Sequence, residues 1–180
     1  MRAKLKPVIT SKSQSILVKN DKMRRFYAPL HFHPEYEIIY IKKSFGMRVV
    51  GNNIENYFPG EVIMLGPGLP HYHEVGTISN ENEPAIETIA VLFPETIFEA
   101  NSQFPEFSSV NRLLNKIKCG IALKGQTKEE VQAILEKMTL TPSLNNLLSI
   151  YSIVDVLSRT NSSFTQLSTQ PYDNKKLHNT

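Results

Sequence analysis

Four of the five histidines in this 180-residue chain fall in two His-x-His pairs, His31/His33 in the segment HFHPEYE and His71/His73 in PHYHE. Residues of equal parity on a strand share a face, so His31, His33, Glu35 and Glu37 can point the same way unless Pro34 resets the parity. Imidazoles and a carboxylate converging from neighbouring strands suit a divalent transition metal such as zinc, iron, manganese or nickel, with Glu37 or Glu35 giving the oxygen. The same residues suit a polar pocket floor that holds an organic ligand without metal, because neutral imidazole both donates and accepts. The spacing leaves both chemistries open, and His73 belongs to the candidate set in either. Arg48, one strand away, has a fork that fits a carboxylate or a sugar hydroxyl; the alternative is an ordinary exposed strand arginine. Tyr36, Tyr40, Tyr57 and Tyr72 are either stacking partners for a sugar ring or aromatics placed by β propensity.

Short β-rich runs must position these side chains. From Ile16 to Phe93, turn residues recur at close spacing, with corners at Gly46, Gly51-Asn52-Asn53, Pro59-Gly60 and Gly66-Pro67-Gly68. The pattern predicts strands over residues 15–19, 24–33, 35–42, 45–50, 53–58, 61–65, 71–75 and 86–93, the signature of an all-β barrel or sandwich. After Pro94 the period becomes helical. Val110, Leu113, Leu114 and Ile117 form one stripe, and Val131, Ile134, Leu135 and Met138 a second. Thr127 with Glu130 reads as a capping box, and Thr141-Pro142 as the start of a third helix ending near Arg159. Cys119 before Gly120 reads as a helix end without chemistry.

The apolar arc of the third helix is wider than one packing partner needs. This predicts a homodimer through Leu147, Tyr151, Val154 and Leu157, which recur at three- and four-residue intervals; the alternative is that the second helix covers this face within the same chain. Beyond Thr160 the composition is polar and reads as a linker or tail.

Bulk properties narrow the function classes. Hydrophobic residues make up 41% and charged residues 21%, which places the chain among folded globular proteins. One cysteine, no secretory leader and no apolar run near the roughly 20 residues of a membrane span point to the cytoplasm. The net charge of +3 is uneven: residues 1–25 balance at +7 and residues 26–110 at −8. The ordered centre is therefore acidic, the basic N-terminus reads as a solvated arm, and no sequence-specific DNA affinity is expected of this chain.

HFHPEYE resembles the first cupin motif, with His31, His33 and Glu37 at its ligand positions. Gly60, followed after five residues by GPGLPH, resembles the second and places His71 as the fourth ligand. Gly66 stands where proline is usual, and the first motif reaches its glycine late, at Gly46. The run from His31 to Gly76, with FPETIF, the helix pair and CGIALKG, resembles the sensory domain of AraC-type regulators over roughly residues 15–160. The resemblance implies a mainly β, cupin-like barrel (double-stranded β-helix or jelly roll) followed by two to three α-helices. It implies an arm over 1–14, an effector-binding barrel over 15–94, a helical dimerisation segment over 95–160 and a linker over 161–180. It further implies a small-molecule effector, sugars included, and DNA contact only through a C-terminal helix-turn-helix domain not in this chain. The rival is a metal-dependent cupin enzyme, a dioxygenase or sugar isomerase, using the same quartet. The amphipathic helices and polar tail favour the regulator and a non-enzymatic role.

Overall fold

The computed structural model describes residues 3–6, 14–26, 28–76 and 86–172. Two sheets face each other. The first contains β1 (Lys4–Leu5), β3 (His31–Phe32), β8 (His71–Val75), β5 (Gly46–Val50) and β6 (Asn53–Tyr57), in that order. The second runs β11 (Phe164–Gln166), β10 (Ile121–Leu123), β7 (Val62–Leu65), β4 (Tyr36–Lys43), β9 (Ile86–Phe93) and β2 (Leu17–Met23). All pairings are antiparallel except β1 with β3. The expected mainly β, cupin-like architecture with trailing helices is what the chain adopts.

The second sheet is covered on both faces, which explains its near-continuous apolar strands: all four residues of β7 are fully buried. Its outer face, with Tyr36, Ile38, Met64, Val91 and Phe93, packs under α1 (Thr96–Glu99), α2 (Ser108–Ile117), α3 (Gly125–Leu135) and α4 (Leu144–Ser158). Its inner face meets the first sheet through a second cluster of Ile39, Ile41, Val50, Tyr57, Ile63, Leu65, Leu69, Ala122 and Leu167. The first sheet has an open outer face and alternates accordingly: His71 and His73 are buried, Tyr72 is half-buried and Glu74 is exposed.

Several sequence expectations need correction. Residues 24–26 and 28–30 form no strand, and the first long strand is Leu17–Met23 rather than 15–19. Of the expected arm, Lys4 and Leu5 pair with His31 and Phe32, because the edge of β3 offers unpaired backbone groups. The capping box is not formed: α3 begins at Gly125 without a side-chain cap, and the buried Thr127 hydroxyl accepts from the Ser163 amide at 2.9 Å. Nor does Thr141-Pro142 start α4. Ser143 caps it by accepting from the Asn146 backbone N–H at 3.2 Å, while the buried Asn146 side-chain Nδ2 donates to the Thr139 and Thr141 carbonyls.

The divisions at 94 and 160 are crossed by backbone pairing, since β10 and β11 extend the second sheet. The expected linker turns inward at Leu167 and Ser168, both buried, whose amides donate to the Gly120 and Cys119 carbonyls at 2.9 and 2.8 Å. Residues 173–180 of that linker, like much of the expected arm, lie outside the described residues. Among the described residues no helix is long and apolar enough to cross a membrane.

The dimer seam is also corrected. Val154 and Leu157 are each 2% exposed and belong to the chain's own core, and Tyr151 donates its hydroxyl to the Ile97 carbonyl at 2.9 Å. Leu147 packs against the same core. The wide apolar arc is met within one chain by α2, α3 and the sheet, leaving Leu144 and Leu148 as the large apolar residues of α4 on the surface.

Gly120 makes the turn from α2 into β10 at φ +70°, and an added Cβ would meet Leu69, Val50 and Leu65 at 3.0 to 3.3 Å. Gly120→Ala is expected to cost roughly 2 to 4 kcal/mol, summing left-handed strain and overpacking, read as a lower urea midpoint with unchanged slope. The same packing accounts for Gly66: a Cβ there would lie 2.7 Å from the Ile117 carbonyl oxygen, so the end of α2 leaves no room for proline.

Candidate functional site

The histidines are gathered by a crossing between sheets. β3 ends at Phe32 and β4 begins at Tyr36, so the chain passes from the first sheet to the second through Pro34, and strand parity does not carry across. His31 pairs directly with His71 on β8, and Glu37 enters from β4 opposite. The expected convergence therefore occurs by a different route from a single strand face. Ring centroids lie 4.2 Å apart for His31 and His71, 5.0 Å for His33 and His71, and 5.9 Å for His31 and His33. Glu35 is left behind the site: buried, 3.5 Å from His33 Nδ1, and absent from the cavity wall.

Each imidazole is anchored on one side. Nδ1 of His31, His33 and His71 meets the carbonyls of Pro29, Glu35 and Leu69 at 2.9, 3.1 and 2.9 Å. A carbonyl only accepts, so these contacts favour the proton on Nδ1 and turn Nε2 of His31 and His71 to the cavity as lone-pair donors, the arrangement that orients metal-binding histidines, whereas His33 Nε2 is hydrogen-bonded to the Glu37 carboxylate at 3.1 Å. Glu37 Oε2 lies 3.1 Å from both His33 Nε2 and His71 Nε2, although His71 Nε2 is not aligned as a hydrogen bond and is otherwise unsatisfied. Three imidazole nitrogens and a carboxylate thus face one point. One ligand atom from each of the three histidines falls within 4.8 Å of the other two. The chemistry of the donor set, three imidazoles and a carboxylate, suits a small divalent ion.

The electrostatics agree. Burial, reinforced by His71, pushes His31 down to about 4, so it is neutral at pH 7. Burial opposes ionisation of Glu37, but pairing with His33 and His71 prevails and holds its carboxyl well below the usual range. Burial and His71 push His73 down to about 3. The His73 ring lies between Phe26 and Tyr57, each 5.4 Å away, and its buried Nε2 has no hydrogen-bond partner.

These groups line a partly open cavity of about 210 Å³. Its other wall carries Lys19, Asp21 and Met23 of β2 and Thr88, Ala90 and Leu92 of β9, with Phe26, Ala28 and Lys6 alongside. Sequence reasoning missed Lys6, Lys19 and Asp21 as lining residues: Lys6 fell in the expected arm, while Lys19, on the expected strand 15–19, and Asp21 entered only the charge balance. The alternation of Lys19, Asp21 and Met23 was their one signal. Arg48 is the opposite case, since it does not line this cavity. It is 3% exposed and bonded to Glu61, Asn53 and Glu55, in place of the exposed position or effector contact considered for it. None of Tyr36, Tyr40, Tyr57 and Tyr72 lines the cavity: Tyr36 stacks on Phe93 under the helices, and Tyr57 is core, bonded to the Ser44 hydroxyl.

No known family model matches the chain, and no curated protein matches it. Among solved structures it is similar to the AraC-like transcriptional activator CuxR, at 9% identity and a TM-score of 0.48 over 81% of this chain and 49% of that one. It is also similar to apo ToxT from Vibrio cholerae, at 14% identity and a TM-score of 0.49 over 81% of this chain and 54% of ToxT. Oxalate decarboxylase from Bacillus subtilis gives 19% identity and a TM-score of 0.35 over 53% of this chain and 24% of that one. The structural neighbours thus include AraC-like regulators and cupin-fold proteins, and the chain spans about half the length of the two regulators.

Proposed function

We propose that this chain is the effector-sensing part of an AraC-type transcription regulator, and that His31, His33, His71 and Glu37 hold a divalent transition metal on the floor of the effector cavity. The observation that carries the metal is the anchoring of three Nδ1 atoms to backbone carbonyls, which aims three Nε2 atoms and one carboxylate at a common point. A bound ion would supply a fixed positive charge against which a hydroxyl or carboxylate of the effector is oriented. The cavity, at about 210 Å³, is smaller than drug-sized pockets and suits a compact polar metabolite such as a monosaccharide. The motif resemblance and the helical layer over the barrel support the regulator over the enzyme. In this reading DNA is contacted through a further domain. The homodimer forms at the exposed Leu144 and Leu148, with Leu140 just before them.

The test is thermal unfolding with added zinc, followed by a panel of pentoses and hexoses. At about 100 times its dissociation constant, zinc should stabilise the chain by ~2.7 kcal/mol, or roughly 5 to 10 °C in Tm, and His31→Ala/His71→Ala should abolish the gain. An equal gain in that variant would remove the metal from this site. Conversion of a bound sugar, or dioxygen consumption by the metal-loaded chain, would move the protein to the cupin enzymes.

A further inference from the structure

We propose that Arg48 forms the head-group anchor of a second binding site, for a small oxyanion bearing a carboxylate or phosphate, in the cleft between β5–β6 and β10–β11. This cleft encloses about 460 Å³ and shares no lining residue with the histidine cavity. The inner apolar cluster separates the two, running from Ile39 at the histidines to Ala122 and Leu167 at Arg48. The proposal does not depend on the effector reading.

A buried guanidinium is costly unless its donors are engaged, and a purely structural ion pair is best closed off by packing. Arg48 meets the first condition in part and the second not at all. Its Nε donates to Glu61 at 2.9 Å, one terminal nitrogen to Asn53 at 3.0 Å and the other to Glu55 at 3.1 Å. Five N–H groups are available, so two remain without a partner among the described residues, beside an open cleft. The three acceptors are not equivalent. The Glu61 side chain is 18% exposed and is the inner anchor, whereas Glu55 is 55% exposed and reaches Arg48 from the solvent side.

An exposed carboxylate resting on a buried guanidinium occupies the place of an incoming anion. Lys124 and Lys128, at the start of α3, add two ammonium groups to the lining. With Arg48 they outnumber Glu55 and Glu61 by one charge, and by two once Glu55 swings into solvent. Planar two-point recognition of carboxylate or phosphate is the chemistry for which arginine is suited, and the lysines supply less directional attraction. The exposed Phe58 at the rim gives the remainder of the ligand an apolar surface.

Isothermal titration of the 180-residue chain with inorganic phosphate, and separately with malonate, at fixed low chloride tests this. One-to-one binding of at least one anion is expected, tightened roughly threefold to tenfold by Glu55→Gln, which removes the competing charge while keeping an acceptor for Arg48. Binding seen only in Glu55→Gln carries the proposal equally, and preference for one anion identifies the head group. Lys124→Gln/Lys128→Gln should abolish binding. Lys6→Gln/Lys19→Gln, which alters the other cavity, should leave it unchanged. The proposal is overturned if neither anion binds the parent chain or Glu55→Gln, if Glu55→Gln fails to tighten binding, or if binding follows Lys6 and Lys19.

Discussion

A chain carrying Leu147→Glu and Val154→Glu is expected not to fold. Val154 is 2% exposed in the core under α4, with Ile150, Ile153 and Leu157 beside it and α2 and α3 packed against the helix. A carboxylate there has no cation to meet and no route to water, so the loss should exceed about 4 kcal/mol, a large part of the stability of an ordinary domain. Far-UV circular dichroism should show loss of the native signal, with the protein aggregated in sedimentation. Leu148→Glu should leave the fold of the single chain within about 0.5 kcal/mol of the parent, because Leu148 is 54% exposed there, and should weaken only the proposed dimer. A soluble, folded monomer from the double variant would restore the seam that the sequence pattern implied.

Acid should weaken the fold well before its carboxylates titrate. His73 has a folded pKa of about 3 against an unfolded value of 6.5, so the native state favours the neutral ring. Above pH 6.5 both states are neutral and this group contributes no pH dependence. Between 6.5 and about 3 the unfolded chain takes up a proton that the native chain refuses, and stability falls by ~1.4 kcal/mol per pH unit. At pH 4.5 the loss from His73 is about 2 to 3 kcal/mol. His31 acts in the same direction, and the depressed Glu37 adds its own loss as pH falls below the ordinary carboxylate range. His73→Phe keeps a ring between Phe26 and Tyr57 and removes an unsatisfied nitrogen, so it should flatten the profile and stabilise the chain at pH 4.5. Urea unfolding at pH 7.5 and 4.5 measures both effects; an equal acid loss in the variant would assign the sensitivity elsewhere.

What the sequence disclosed follows from how local the signal was. β4 to β9 were legible because they are bounded by glycine, proline and asparagine corners and made of β-favoured residues, and α2 because its stripe keeps a 3.6-residue period. The histidine cluster was legible as residue types at fixed spacing, even though the crossing at Pro34, rather than shared parity, brings Glu37 to it. β10 and β11 were hidden because strands of three residues have no period of their own. Pairing creates them, with Ile121 beside Met64 and Leu123 beside Phe164. Leu167 sits among polar neighbours that look like linker, yet it fills the inner core because backbone pairing carries it there. Arg48 was placed on the correct strand, but no local pattern tells which of two interior spaces a side chain enters.

The segment from Phe164 to Tyr172 also settles how load would travel through the molecule. Force applied to the chain beyond Tyr172 would reach Ser168 before α4, and Ser168 is held by its hydroxyl to Asn52 and by its amide to the Cys119 carbonyl. Behind it Leu167 is bolted into the inner core and its amide is tied to Gly120. Tension at that end is therefore delivered to the joint between the β5–β6 corner and the end of α2, which acts as a clamp, while the long helix stays slack until the clamp releases.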